Sequence, residues 1–251
     1  MKLHLFVTAA VAAIAVSAPA FAAEPVGSIG LSAAHTEVDL GPFSGDGEAY
    51  ALDGSVALQA APSWTVTLSG AAVTSDTGAG DDTTGAANAA LTYAGADWRA
   101  GGFVGVGESS GETLWAVGGV AQKHIGDVTL VGTAGYGQID GVDADLWGAR
   151  GDIRYFVSDT FRINGGVGVA RIDAGAVDAD LWTLSAGGEY QFASTPWSVF
   201  AGYDHSEAND LDLTADTVKV GVRFGFGGDL KARDRSGADL GGATALFGAL
   251  N

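Results

Sequence analysis

The sequence predicts an all-β fold, a transmembrane antiparallel up-and-down β-barrel of about 12 strands, with roughly 10–14 as the range. Three observations predict it. First, segment after segment alternates apolar with small or polar residues, as in Thr217-Val-Lys-Val-Gly-Val-Arg-Phe-Gly-Phe226. A period of two puts Val218, Val220, Val222, Phe224 and Phe226 on one face of a strand, and Thr217, Lys219, Gly221, Arg223 and Gly225 on the other. Second, the chain opens on an export leader, yet no later stretch holds the ~20 consecutive apolar residues that a spanning helix needs. Third, short connections alternate with longer acidic ones, as in hairpins that cross a membrane. Hydrocarbon cannot satisfy free backbone groups, so a closed sheet is the spanning solution left.

Residues 1–22 read as a secretory signal peptide. Met1-Lys2 is basic, Leu3–Val16 is apolar, and Ser17-Ala-Pro-Ala-Phe-Ala22 ends on the small residues that a signal peptidase takes. Residues 23–226 are expected to form the barrel, and residues 227–251 a C-terminal extension on the periplasmic side. The chain carries 12 Lys and Arg against 30 Asp and Glu, a formal net charge of −18. Loss of Lys2 with the leader makes it more negative still. Nucleic acid is excluded as a partner, because phosphate binding needs a basic face. The chain has no cysteine, which removes disulfides and thiolate metal sites.

The strand-like segments run over 27–38, 48–60, 63–73, 85–95, 97–107, 113–123, 127–138, 145–156, 160–171, 181–192, 196–206 and 216–226. Their apolar sets are consistent: Trp64, Val66 and Leu68; Trp147, Ile153 and Tyr155; Trp182, Leu184 and Tyr190; Trp197, Val199 and Tyr203. Short connections include Ala61-Pro62, Gly95-Ala96 and His124-Ile125-Gly126; the longer acidic ones are 39–47, 74–84, 108–112, 139–144, 172–180 and 207–215. An even strand number puts both chain ends on the short-turn side. Trp64, Trp98 and Trp197 follow short turns, and Trp115, Trp147 and Trp182 follow long loops. These six tryptophans predict two aromatic girdles at the two membrane interfaces. Val142-Asp-Ala-Asp-Leu-Trp147 recurs as Val177-Asp-Ala-Asp-Leu-Trp182, so the repeat unit is a hairpin. The repeated Asp-x-Asp lacks the glycine and bidentate glutamate of a calcium loop and reads as a solvated acidic loop.

Lys219-x-Gly221-x-x-Phe224-x-Phe226 resembles the C-terminal assembly signal of bacterial outer-membrane barrels, although 25 residues follow it here. With the leader and the alternation, residues 23–226 resemble porin-type barrels of Gram-negative bacteria, the alphaproteobacterial ones included. The resemblance implies the cell outer membrane as the location. It implies recognition of Lys219, Gly221, Phe224 and Phe226 by the barrel-assembly machinery, and contact with outer-membrane lipid and lipopolysaccharide. A homo-oligomer is compatible with it, since porin trimers are common, but no distinct interface patch stands out on the apolar faces.

By the same phasing the lumen receives Arg99, Arg150, Asp152, Arg154, Arg162, Glu189, Lys219 and Arg223, joined by Asp53, Gln59, Thr65, Thr67, Asn88, Asn164 and Asp204. Charges inside a membrane barrel line a water path or pair with each other. The expected function is a porin-like channel, for ion transport and the passive diffusion of small hydrophilic solutes, anions among them. The alternative is a closed structural or adhesive barrel whose acidic loops bind divalent cations, lipopolysaccharide or an external partner. No cofactor or metal site is expected. No enzyme is expected either. Some outer-membrane barrels are phospholipases with Ser and His on the outer wall, and Ser32 with His35 or His205 with Ser206 are the residues to weigh. Nothing in their spacing selects a nucleophile, a base and an orienting group.

Overall fold

A strand with one apolar face hides nothing by itself. Closing a ring of such strands pairs the backbone of every edge and turns all the apolar faces to one common side. That is the architecture of the computed structural model, which describes residues 24–76, 81–109, 111–141, 144–175 and 178–243. The expected leader, Val142-Asp143 and Val177 of the repeat, and residues 244–251 lie outside the described residues.

Among the described residues, twelve strands close into one barrel. They are β1 (Val26–Leu40), β2 (Phe43–Ala61), β3 (Trp64–Asp76), β4 (Asp81–Ala94), β5 (Trp98–Ser109), β6 (Glu112–Ile125), β7 (Val128–Ile139), β8 (Ala144–Ser158), β9 (Phe161–Asp173), β10 (Asp178–Gln191), β11 (Trp197–Ala208) and β12 (Leu213–Phe226). Each pairs antiparallel with its sequence neighbours. β12 closes on β1 in an unbroken register, from Gly27 opposite Phe226 to Leu40 opposite Leu213. No helix among the described residues is long and apolar enough to cross a membrane.

The outward face is the apolar one. Val167 is 61% exposed, Val220 56% and Val106 57%, values that a water-soluble barrel would bury and that hydrocarbon contact explains. Aromatic rings meet one another near both rims. On the rim that holds the chain ends, Trp64 meets Tyr93 edge-on at 5.4 Å, Tyr93 meets Trp98 at 5.8 Å, and Trp197 meets Phe224 at 5.2 Å. On the opposite rim Trp115 meets Tyr136 at 5.8 Å and Trp182 meets His205 at 5.1 Å, while Trp147 is exposed. The phenols of Tyr136 and Tyr203 donate to the carboxylates of Asp145 and Asp216, so each ring spans the change from apolar to wet.

One expectation needs correction. The acidic segments read as long loops are largely strand. β2 begins at Phe43, and Phe43–Gly47 pairs with Thr36–Leu40. β11 and β12 run on to Ala208 and Leu213, with a 3-10 turn at Asn209–Leu211 between them. Polar side chains do not prevent pairing, and continuing the ladder beyond the membrane satisfies backbone groups that a loop would leave to water.

The chain does not stop at β12. Gly227 takes a φ of 79°, where a side chain would meet the carbonyl of Pro25 and Cα of Val26, and the chain reverses there. It then enters the barrel mouth as α1 (Leu230–Ser236). Asp229 caps this helix, its Oδ1 accepting from the amide of Ala232 at 2.8 Å. Gly237, left-handed at φ 87°, ends it, its amide and that of Ala238 donating to the carbonyls of Asp234 and Arg233. Leu230, Arg233, Asp234, Ala238 and Leu240 are almost wholly buried, so the tail fills this end of the lumen.

Candidate functional site: the lumen and its plug

Each lumen charge sits on an inward position of a strand whose alternate residues face out. On β8, Arg150, Asp152 and Arg154 point in, while Trp147, Ile153 and Tyr155 point out and are exposed. Arg162 stands on β9, Glu189 on β10, and Lys219 and Arg223 on β12. Arg99, on β5, is on the far side of the ring. The register sets Arg162 opposite Glu189 and Arg154 opposite Asn164, which places these groups at neighbouring levels.

The structure brings most of these residues together, in three groups. Nearest the opposite rim are two local pairs: Arg150 with Asp152 at 2.8 Å, its Nη2 also donating to Ser185 Oγ at 2.5 Å, and Lys219 with Asp204 at 2.6 Å. Deeper lies a network centred on Glu189. This carboxylate is 1% exposed and accepts from Arg162 Nη2 at 3.0 Å, Arg223 Nη1 at 3.0 Å, Arg233 Nη2 at 3.1 Å and Ser198 Oγ at 2.6 Å. Arg223 also holds Asp53 at 3.0 Å and lies over the ring of Phe200, 4.6 Å from its centroid. Gly221 makes that stack possible, since a Cβ there would overlap the Phe200 ring. Gly221 thus has a packing reason to be glycine.

The third group joins wall to tail. Arg154 Nη1 donates to Asp234 Oδ1 at 2.5 Å and its Nη2 to the carbonyl of Asp239 at 3.0 Å. Arg162 Nη1 donates to Asp239 Oδ2 at 2.7 Å. Thr129 Oγ1 donates to Asp234 Oδ2 at 2.7 Å, Gln122 Nε2 to the carbonyl of Asp234 at 3.0 Å, and Thr67 Oγ1 to that of Gly237 at 3.0 Å. Arg99, separate from the arginines above, donates to Thr92 at 3.1 Å and to the carbonyl of Arg235 at 3.2 Å. At the mouth, Lys231 bridges Asp127 at 2.7 Å and Asp159 at 3.2 Å, solvated pairs that contribute little.

One wall is apolar instead. Phe103, Val120, Val131 and Leu146 form a buried cluster with Leu240 and Ala243 of the tail. Two lumen glycines are sockets for the tail. A Cβ on Gly225 would overlap the guanidinium of Arg233, and one on Gly105 would overlap Ala243. Gly225→Ala is therefore expected to displace Arg233 at a cost of about 1–3 kcal/mol, leaving the barrel closed. Faster hydrogen exchange in α1, with unchanged protection in β1 and β12, would show it.

Asp239 sets the pH response. Burial opposes its ionisation, but Arg162, Arg154, Arg233 and Arg223 outweigh burial and hold the carboxyl well below the usual carboxylate range. A group whose pKa falls on docking stabilises the docked state above its free value. The contribution is complete above about pH 4. It declines below that and is gone once the pH passes beneath the lowered value. Hydrogen exchange in α1, corrected for intrinsic rates, should hold steady from neutrality to about pH 4 and rise only below it.

Sequence reasoning missed Arg233, Asp234 and Asp239 of the tail, and Gln122 and Thr129 on the wall. The signal available was local: Asp229 and Gly237 bracket a helix-length segment, an N-cap and a C-terminal glycine. The histidine–serine pairs are not brought together. His35 is exposed on the outer face and Ser32 is turned inward; His205, bonded to Asp216 at 2.7 Å, and Ser206 also occupy opposite faces. Three residues apart, or one, means opposite sides of a strand.

A scan against protein-family models finds no match, and a search of curated proteins finds no significant relative. Solved structures do share the fold. An outer membrane channel from Pseudomonas putida F1 aligns with a TM-score of 0.61 at 13% identity, over 82% of this chain and 97% of that one. The translocator domain of the autotransporter NalP from Neisseria meningitidis aligns with a TM-score of 0.53 at 14% identity, over 86% and 92%. The KdgM porin, solved in complex with disordered oligogalacturonate, aligns with a TM-score of 0.52 at 10% identity, over 79% and 99%. The fold of this chain is that of outer-membrane β-barrels, and it points to the cell outer membrane.

Proposed function

We propose that the chain is an outer-membrane channel for small hydrophilic solutes, anions among them, held shut by its own C-terminal segment. One observation carries this reading: an inward row of guanidinium groups, Arg150, Arg154, Arg162 and Arg223, spans the lumen, and part of its counter-charge comes from a tail that is not part of the barrel wall. A barrel meant to stay closed has no need of wall charges, because apolar packing of equal volume fills space at no desolvation cost. Charges along an aqueous path select what passes. With the tail in place the chain-end mouth is filled; with the tail displaced, the row faces water.

The full chain in planar bilayers is expected to give brief, stepwise, anion-preferring currents, and Arg223→Ala should lower that preference. Silence from independent preparations of both the full chain and a tail-truncated one would sink the proposal. The rival is a closed barrel that bridges divalent cations to lipopolysaccharide. The exposed carboxylates beyond the outer girdle, Glu37, Asp39, Asp46, Glu48, Asp178 and Asp180, favour it. It requires chelation of divalent cations to strip bound lipopolysaccharide from the purified protein.

A further inference from the structure

The wall groups that grip the tail have one chemical character. Arg154, Arg162, Thr129 and Gln122 all act as donors, and what they hold are two carboxylates and two carbonyls. The tail presents Asp234 and Asp239 as a pair of anionic groups on one short segment. The ion-pair partner of Arg154 among the described residues is Asp234, a tail residue and not a neighbour on the wall. Arg162 Nε is buried and has no hydrogen-bond partner among the described residues, a donor that the tail leaves unused. A donor set of this kind matches any compact molecule that carries two or more carboxylates. The tail satisfies it at the expense of ordering a chain segment, which a free solute does not have to do.

We infer that Arg154, Arg162, Thr129 and Gln122 form a binding site for a polycarboxylate solute, and that Asp234 and Asp239 occupy this site as an internal mimic. Solute and tail then compete, so that the molecule to be passed displaces the plug that blocks it. This rests on the channel reading above and adds the solute class and the means of opening. The tail's carboxylates and those of the solute use the same donors, so binding of the solute requires release of the tail. The wall part of the Glu189 network stays in place in both states, because Arg162 and Arg223 keep their bonds to Glu189 while Arg233 leaves with the tail.

The test uses the full chain with one added thiol, which is unique because the chain has no cysteine. Thr67 is fully buried beneath the tail, its hydroxyl on the carbonyl of Gly237, so Thr67→Cys reports departure of the tail. Reaction with a charged methanethiosulfonate reagent is followed in citrate and in sodium chloride of equal ionic strength. Labelling in citrate is expected to be about tenfold faster, and Arg154→Gln in the same background should abolish the difference. Gly225→Ala and Asp239→Asn serve as separate positive controls, each loosening the tail and speeding labelling in either salt. Equal rates in citrate and chloride, with either control labelling fast, overturn the inference even if the protein conducts. Faster labelling in citrate without any current in bilayers supports the site and overturns the channel reading instead.

Discussion

Truncation after Phe226 is expected to turn a filled barrel into a conducting one. The barrel has no structural need for what it loses. β12 pairs with β1 over its whole length, and that register ends at Gly27 opposite Phe226, before the tail begins. The shortened chain should fold, insert and shift on heating in a gel as a closed barrel does. The lumen changes most. Leu230, Arg233, Asp234 and Leu240 leave, the apolar cluster around Phe103 loses one side, and Arg154 loses its carboxylate. Open-state occupancy in bilayers should rise about tenfold or more, and chloride should be favoured over potassium because Arg154 and Arg162 then face water. Arg154→Ala in the truncated chain should reduce that selectivity. A truncated barrel that folds yet never conducts would mean that the wall closes the lumen unaided.

Glu189→Gln is expected to destabilise the folded barrel by about 3–5 kcal/mol and to loosen the tail with it. The substitution keeps the shape of the side chain and removes its charge. Three guanidinium groups, from Arg162, Arg223 and Arg233, then share a site that held one buried carboxylate. Arg223 keeps Asp53 and Arg162 keeps Asp239, but Arg233, wholly buried, is left with no counter-ion among the described residues. The denaturant midpoint of the refolded protein reads the first effect, and hydrogen exchange in α1 the second. A loss under about 1 kcal/mol would show that water reaches Glu189 and that the network is not sealed.

These two outcomes depend on different parts of what could be read beforehand. The phase of every strand was legible, because a period of two is a local property and an outward Val218 or Trp147 follows from it directly. Inward placement of Arg154, Arg162 and Glu189 followed from the same phase. Their partners did not. Arg154 meets Asp234, which is 80 residues away in the chain, and Arg162 meets Asp239 at a similar separation. Such pairings depend on where a tail comes to rest, and the tail carries no long periodic pattern that would announce it. The ends of the acidic hairpins were misread for a related reason: charge marks solvent, and both a loop and a strand extended into solvent satisfy it.

The amino-acid order alone determined that the chain is a closed antiparallel barrel, which face of each strand meets hydrocarbon and which charges turn inward. All of these are set by alternation along single strands and by the demand that no backbone group be left unpaired in lipid. Only the tertiary structure decided what those inward charges do. Ion pairs form between strands and a returning segment according to distance in space, and the docking of Asp234 and Asp239 converts a row of arginines from a bare lining into an occupied site.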